Sequence, residues 1–306
     1  MKAISVNKPR RGMTKKTKDY IFVALMLLLP LAQFIVFYVY VNIDSILMAF
    51  QLPQADGTIK WTFDNFKQMF VEFGATNSIM ILALKNTLIF FGANLLVILP
   101  LSFLLCYFLY KKVAGYKVFR VIFYLPCIIS ASVTAILFKY VIEVNGPLSV
   151  LRGWLGMETP PFLQRIPSAM WVLVFYSIFF GLGGNLILFS GAMTNIDSGI
   201  IDAARIDGVG MWREIWNVVI PSIWPTLSTV ILFAFVGIFN ASGPILLLTH
   251  GEYNTYTISY WIYDRVTFNN DLYYPAAVGM FFTLIGAPIA IFMRWLLSRN
   301  TDDLTM

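Results

Sequence analysis

The chain is 306 residues long, 58% hydrophobic, 16% aromatic and only 12% charged, against roughly 45–50% apolar and 25% charged in soluble domains. That composition excludes a soluble globular protein and indicates an integral membrane protein. The net charge of +6 does not call for a nucleic-acid partner, because 7 of the 22 basic residues lie in the first 19 positions, ahead of an apolar run, where they act as a topology signal.

Residues 1–19 read as a basic cytoplasmic tail carrying Lys2, Lys8, Arg10, Arg11, Lys15, Lys16 and Lys18. Tyr20 to Ile43 comes next without a charge, and it is longer than the ~7–15-residue core of a signal peptide, so it reads as a retained first span. Asp44 to Lys85 is mixed and polar, an external segment. Uncharged runs recur at Asn86 to Tyr110, Val121 to Phe138, Ile166 to Ile196, Ile215 to His250 and Leu272 to Met293, each about the ~17–25 residues a helix needs to cross the hydrocarbon core. The expected fold is therefore all-α, with six transmembrane helices at about 20–43, 86–110, 119–141, 168–192, 223–249 and 274–297 in a transmembrane domain of residues 20–298. Residues 299–306 form a second cytoplasmic tail.

Counting lysine and arginine by side puts 15 of 22 on one face of the membrane: the N-terminal tail, the turn 111–120, the loop 192–222 and the C-terminal end. That bias predicts both termini, and the loop between spans four and five, in the cytosol. The loop, residues 195–221, is a charged island between two apolar runs. Ile200, Ile201, Ala203, Ala204 and Ile206 recur at helical spacing and predict a short amphipathic helix that Gly208 ends. Trp212, Ile215, Trp216, Val219 and Ile220 predict a second apolar stripe, with Arg213, Glu214 and Asn217 opposite it, and Pro221 stops or kinks the helix beyond it.

Asp202-Ala203-Ala204, then Gly208, then Val218-Val219-Ile220-Pro221 resembles the EAA loop of binding-protein-dependent ABC importer permeases, Glu-Ala-Ala, three residues, Gly, nine residues, Ile-x-Leu-Pro. Spacing matches throughout; Asp for Glu, Val for Ile, Ile for Leu and Asp197 for a frequent proline are the departures. Ala203 to Gly208, Ala-Ala-Arg-Ile-Asp-Gly, is the form typical of the sugar branch. Leu247-Leu248-Thr249-His250-Gly251, then Thr257, Tyr260, Tyr263 and Phe268, resembles a segment of the first, maltose-type permease of a heterodimeric pair, although that family's Gly-Gly-Pro is here Gly251-Glu252-Tyr253. The resemblance implies a cytoplasmic coupling helix between spans four and five, with Asp202, Ala203, Ala204, Asp207, Gly208 and Pro221 as the ATPase-coupling residues. It also implies a second homologous permease, two ATP-binding subunits and an extracytoplasmic solute-binding protein as partners in the bacterial cytoplasmic (inner) membrane, besides membrane lipid.

Polar groups inside spans are costly and therefore candidates for a solute path: Gln33, Asn86, Asn94, Asn185 and Asn240. Tyr176, Phe180, Phe235 and Phe239 are aromatic surfaces suited to stacking on sugar rings. Asn185, Asn240, Tyr176 and Phe239 are the path residues expected here. The interiors of the six uncharged runs hold no Asp, Glu, Lys or Arg, which argues against an ion-coupled carrier, the rival class. A Walker A sequence is absent and His250 is the sole histidine. The chain is expected to be non-catalytic and to bind no cofactor or metal, with ATP and Mg on the partner ATPase subunits. Gly181-Leu182-Gly183-Gly184 reads as close helix packing, and Cys106 and Cys127 as small buried side chains. The function expected is import of a sugar or oligosaccharide, or, on the same architecture, of a non-sugar solute such as a polyol phosphate.

Overall fold

The computed structural model describes residues 15–54, 56–240 and 243–302; the basic residues from Lys2 to Arg11, which carry much of the expected N-terminal tail, and the last four residues lie outside them. Helix α1 runs through Lys15–Gln33, a π-helical stretch Phe34–Tyr40 and Val41–Ala49. A short hairpin, β1 Gln51–Pro53 paired antiparallel with β2 Ile59–Trp61, leads to α2, Asp64–Gly74. Then come α3 (Ile79–Tyr110), α4 (Tyr116–Ile128), α5 (Ala131–Ile142), α6 (Pro147–Trp154) and α7 (Ser168–Thr194). The second half holds α8 (Ser198–Ile206), α9 (Met211–Ser222), α10 (Trp224–Val236), α11 (Gly243–Leu248), α12 (Ile258–Phe268) and α13 (Tyr273–Asp302).

Among the described residues five helical stretches are long and apolar enough to cross a membrane, and six if α9 and α10, which meet at 82°, form one bent span. Three departures from the spans read in the sequence have local causes. Span two starts a full two turns early, at Ile79, because Ser78 accepts a hydrogen bond from the Met80 N–H and caps the helix there. The run 119–141 is not one helix, and the span-length apolar stretch in this region is instead Ala131–Trp154, α5 with α6. Ile129 and Ser130 are extended, and Ser130 caps α5 through the Val133 N–H. Span five stops at Val236, where Gly237 opens an irregular stretch.

Two of the π-helical stretches sit just before prolines: Asn94–Ile98 ahead of Pro100, and Ile215–Val219 ahead of Pro221. Proline lacks the N–H for the carbonyl four residues back and its ring clashes with it, so a widened turn relieves both.

The interior has three apolar centres. Around the junction of α3, α7 and α9 lie Phe103, Cys106, Leu186, Phe189, Ile215 and Val219. Phe90, Ala135, Leu173, Tyr176, Ile245 and Tyr260 form the second, and Met69, Met80, Ile258, Trp261, Val278 and Phe282 the third. The Gly181–Gly184 run packs as its composition suggests at two positions. A Cβ on Gly183 would overlap the Cys127 Sγ and lie 3.0 Å from the Phe123 carbonyl, and one on Gly181 would lie 3.3 Å from Ile98. Cys127 nonetheless remains exposed, contrary to expectation, because α4 offers it to Gly183 from the rim of the bundle; Cys106 is buried.

Candidate functional site: a loop helix and a bundle cavity

Helix α8 begins at a cap the sequence did not advertise. Asp197, where the family often has proline, accepts the Gly199 N–H at 2.8 Å through its carboxylate, satisfying one of the orphan donors of the first turn. The helix ends as its glycine demands. Gly208 has φ +66, the left-handed conformation that costs a side chain and not glycine, and the Val209 N–H reaches back to the Ala204 carbonyl at 3.0 Å, closing the turn.

The apolar face of α8 divides in two. Ile201 and Ala204 turn inward and are buried. Ile200 is 49% and Ile206 87% exposed, and Ala203, Asp202, Asp207 and Gly208 are exposed as well. An added Cβ on Gly208 meets nothing within 4 Å. The result is a small knob of apolar and acidic groups with no bulk of its own at the glycine.

In α9 the sequence pattern and the structure part company. Ile215 and Val219 are buried, but Trp212 and Trp216 are 60% and 66% exposed, and Glu214, expected on the polar face, is only 5% exposed. Glu214 is the residue that leads into the π-helical register of Ile215–Val219, so the buried side does not follow a 3.6-residue period there. Lys111, at the C-terminal end of α3, makes that burial tolerable: its Nζ lies 2.5 Å from Glu214 Oε1. Pro221 is half-buried two residues before the 82° bend at Ile223.

The expected path residues are only partly brought together. Asn240 and Phe239 fall on the irregular stretch after α10, where non-helical backbone at membrane depth is tolerated if it is buried in protein or lines a cavity. Asn240 lines two cavities. One, about 250 Å³, lies between α3, α7 and α10, with Phe90, Phe91, Asn94 and Ser177. The other, about 530 Å³, is bounded by Phe239, Ser259, Thr283 and Gly286. Phe239 stands 4.8 Å from the Phe282 ring centroid, and Gly286 lets it approach, since a Cβ there would sit 3.2 Å from the ring.

Tyr176 and Asn185 line neither cavity. The Tyr176 hydroxyl is engaged with Thr134 at 3.0 Å and its ring packs on Phe180 and Phe138, at 4.5 and 5.1 Å. Asn185 is half-buried on α7. Asn86 is a structural residue: its amide donates to the carbonyls of Asn254 and Tyr256, both at 2.8 Å, and Thr87 accepts the Ile258 N–H at 3.1 Å. These bonds hold the turn at Gly251-Glu252-Tyr253. There Gly251 has φ +77 and no room for a Cβ, which would fall 2.7 Å from the Tyr256 ring.

Ser177, Ser259 and Thr283 were not anticipated as lining groups. A hydroxyl in a helix can bond to the carbonyl a turn back, as Thr283 does to Gly279 at 2.8 Å, so such residues pass for apolar ones in a hydropathy reading.

A family model described as binding-protein-dependent transport system inner membrane component matches residues 98–302. The lactose transport system permease protein LacF of Rhizobium radiobacter is 26% identical over 231 residues, which cover 71% of this chain and 76% of that protein. The arabinooligosaccharides transport system permease protein AraP of Bacillus subtilis is 24% identical over 283 residues, 89% and 86% of the two chains. A crystal structure of a bacterial ABC transporter involved in the import of the acidic polysaccharide alginate contains a chain that superposes with a TM-score of 0.80 at 25% identity, covering 93% of this chain and 98% of that one.

Proposed function

The chain belongs to the binding-protein-dependent transport system inner membrane component family, and from that membership we propose that it is the permease subunit of an ATP-driven importer for a sugar or oligosaccharide. It is a multi-pass protein of the bacterial inner membrane. A second, homologous permease completes the path, and an extracytoplasmic solute-binding protein delivers the solute. Two ATP-binding subunits hold ATP and Mg, and this chain is itself non-catalytic.

The observation that carries the coupling role is the knob on α8. Exposed Ile200, Ala203 and Ile206, a glycine turn without bulk and flanking aspartates make a shape that seats in a groove of an ATPase subunit. The bias of lysine and arginine orients that knob, with both termini, to the cytosol. ATP-driven closure of the ATPase pair then pulls on α8, and the spans pass from inward-open to outward-open. Support for sugar comes from the relatives, whose names speak of lactose, arabinooligosaccharides and alginate. The path runs along the break after α10, where Asn240 hydrogen-bonds sugar hydroxyls and Phe239 offers a stacking face; Tyr176 and Asn185, also expected on the path, lie on α7 outside the two cavities at Asn240.

The test is uptake into proteoliposomes holding this chain, its permease partner and the ATPase subunits, with the binding protein outside. Uptake is expected to need ATP and the ATPase and to survive an uncoupler. Uptake that persists without the ATPase, or collapses with the uncoupler, overturns the reading in favour of an ion-coupled carrier. A ligand screen of the binding protein decides between a sugar and a solute such as a polyol phosphate.

A further inference from the structure

Lys111 and Glu214 belong to no part of the coupling knob and line neither cavity at Asn240, yet they are the charges most deeply placed near the loop. Lys111 is the C-terminal cap of α3, its N–H bonded to the Tyr107 carbonyl at 2.9 Å, and its ammonium lies 5.6 Å from the Tyr107 ring. Glu214 lies in the first turn of α9. Each therefore sits at the helix end whose dipole favours its sign. The two side chains are 19% and 7% exposed, so the carboxylate is shut off from bulk water while the ammonium keeps partial contact with it. Glu214 Oε1 receives no hydrogen bond of ordinary geometry, leaving the ammonium as its compensation.

The position of the pair gives it a mechanical meaning. After α8 the chain passes through Gly208 into α9, and α9 meets α10 at the 82° bend beside Ile223. A pull on α8 has two outlets. It can flex the bend and leave the bundle still, or it can carry the bundle along. Next to the ion pair, Cys106 and Tyr107 of α3, Phe189 and Met193 of α7 and Ile215 and Val219 of α9 share one packed core. Apolar packing of this kind resists separation but is weakly directional, whereas a close, shielded charge pair fixes one point of α9 to one point of α3.

We propose that the Lys111–Glu214 ion pair is the latch that makes the start of α9 move with α3 and α7, so that both are positioning residues in transmitting ATPase closure to the solute path. The inference rests on the coupling role of α8 proposed for this chain. Without the latch α9 bends at Ile223 and hydrolysis runs on without solute movement.

The readout is solute transported per ATP hydrolysed in the same reconstituted assembly, alongside a thermal unfolding midpoint for each variant. Glu214→Gln and Lys111→Met should lower the ratio by about tenfold, within the usual range of coupling between sites. Glu214→Asp, which keeps the charge and draws it back by one methylene, should lower it less. The swap Lys111→Glu with Glu214→Lys should recover much of the ratio but not all, since each charge then opposes its helix dipole. An unchanged ratio in Glu214→Asp and in whichever neutral variants accumulate overturns the proposal, as does a lower midpoint with an intact ratio, which marks the pair as merely structural. Should the neutral variants fail to accumulate, Glu214→Asp and the swap decide by the same criterion. Wild-type assembly without ATP-coupled uptake would refute the importer reading instead, so the two failures are distinct.

Discussion

At Gly208 backbone strain and bulk can be separated by choice of substituent. Alanine adds little volume but must adopt φ +66 at a cost of roughly 1–2 kcal/mol, whereas asparagine and aspartate tolerate that conformation and bring bulk. Among the described residues nothing lies within 4 Å of the new Cβ, so the clash expected is with a partner. Gly208→Asp and Gly208→Asn should accumulate normally and lose co-purification with the ATPase, with Gly208→Ala milder and the exposed Arg213→Ala silent. Wild-type retention of the ATPase by Gly208→Asp would remove Gly208 from the docking surface. Asn86 provides the opposite case, a polar residue inside a span that serves the fold. Asn86→Ala removes the donor to the Asn254 and Tyr256 carbonyls, and each part-buried bond lost costs roughly 0.5–1.5 kcal/mol. The expected result is a lowered thermal midpoint in detergent with the KM for solute unmoved; a raised KM at an unchanged midpoint would return Asn86 to the path.

At the scale of elements, the contact between α4 and α7 depends on one missing side chain. Gly183→Ala drives a Cβ into Cys127 and against the Phe123 carbonyl, and such overpacking costs about 1–3 kcal/mol. Its thermal midpoint should fall, and adding Cys127→Gly should restore only part of the loss, because the carbonyl stays in place. Equal midpoints for Gly183→Ala and the wild type would mean that the two helices part freely. Long helices such as α7 were legible in the sequence because apolar length is their physical requirement, and the loop helix α8 because its glycine and its alanines repeat at the right spacing; α4, read as part of a single span 119–141, was not. The illegible features arise from contacts distant in sequence or from proline-widened turns. The burial of Glu214 depends on Lys111, more than a hundred residues earlier in the chain, and on a π-helical register that a 3.6-residue period does not contain. The break at Ile129-Ser130 depends on a serine cap inside an apolar run, which hydropathy alone reads straight through.

For the molecule as a whole, the orientation of the spans is the claim most open to direct test. In a background with the exposed Cys127 replaced by serine, single cysteines at Ser198 and Glu252 should label from opposite sides of the membrane, only the second in intact cells with an impermeant thiol reagent. Equal labelling of both would refute a six-span arrangement with α8 in the cytosol. The helices do not share equally in building that arrangement. Every side chain from Tyr20 to Ile43 is exposed, while Leu173, Leu186 and Phe189 in α7 are wholly buried. Exchanging one aliphatic residue for another in α7 opens a void or forces a neighbour aside. In residues 20–43 the same exchange disturbs little packing among the described residues, Tyr38 at the larger cavity and Asn42 beside α12 and α13 excepted, and chiefly partition into oil is being asked of it. Away from Tyr38 and Asn42 that stretch is therefore a replaceable part, tolerant of one apolar side chain for another, attached to a body whose central teeth are cut to fit.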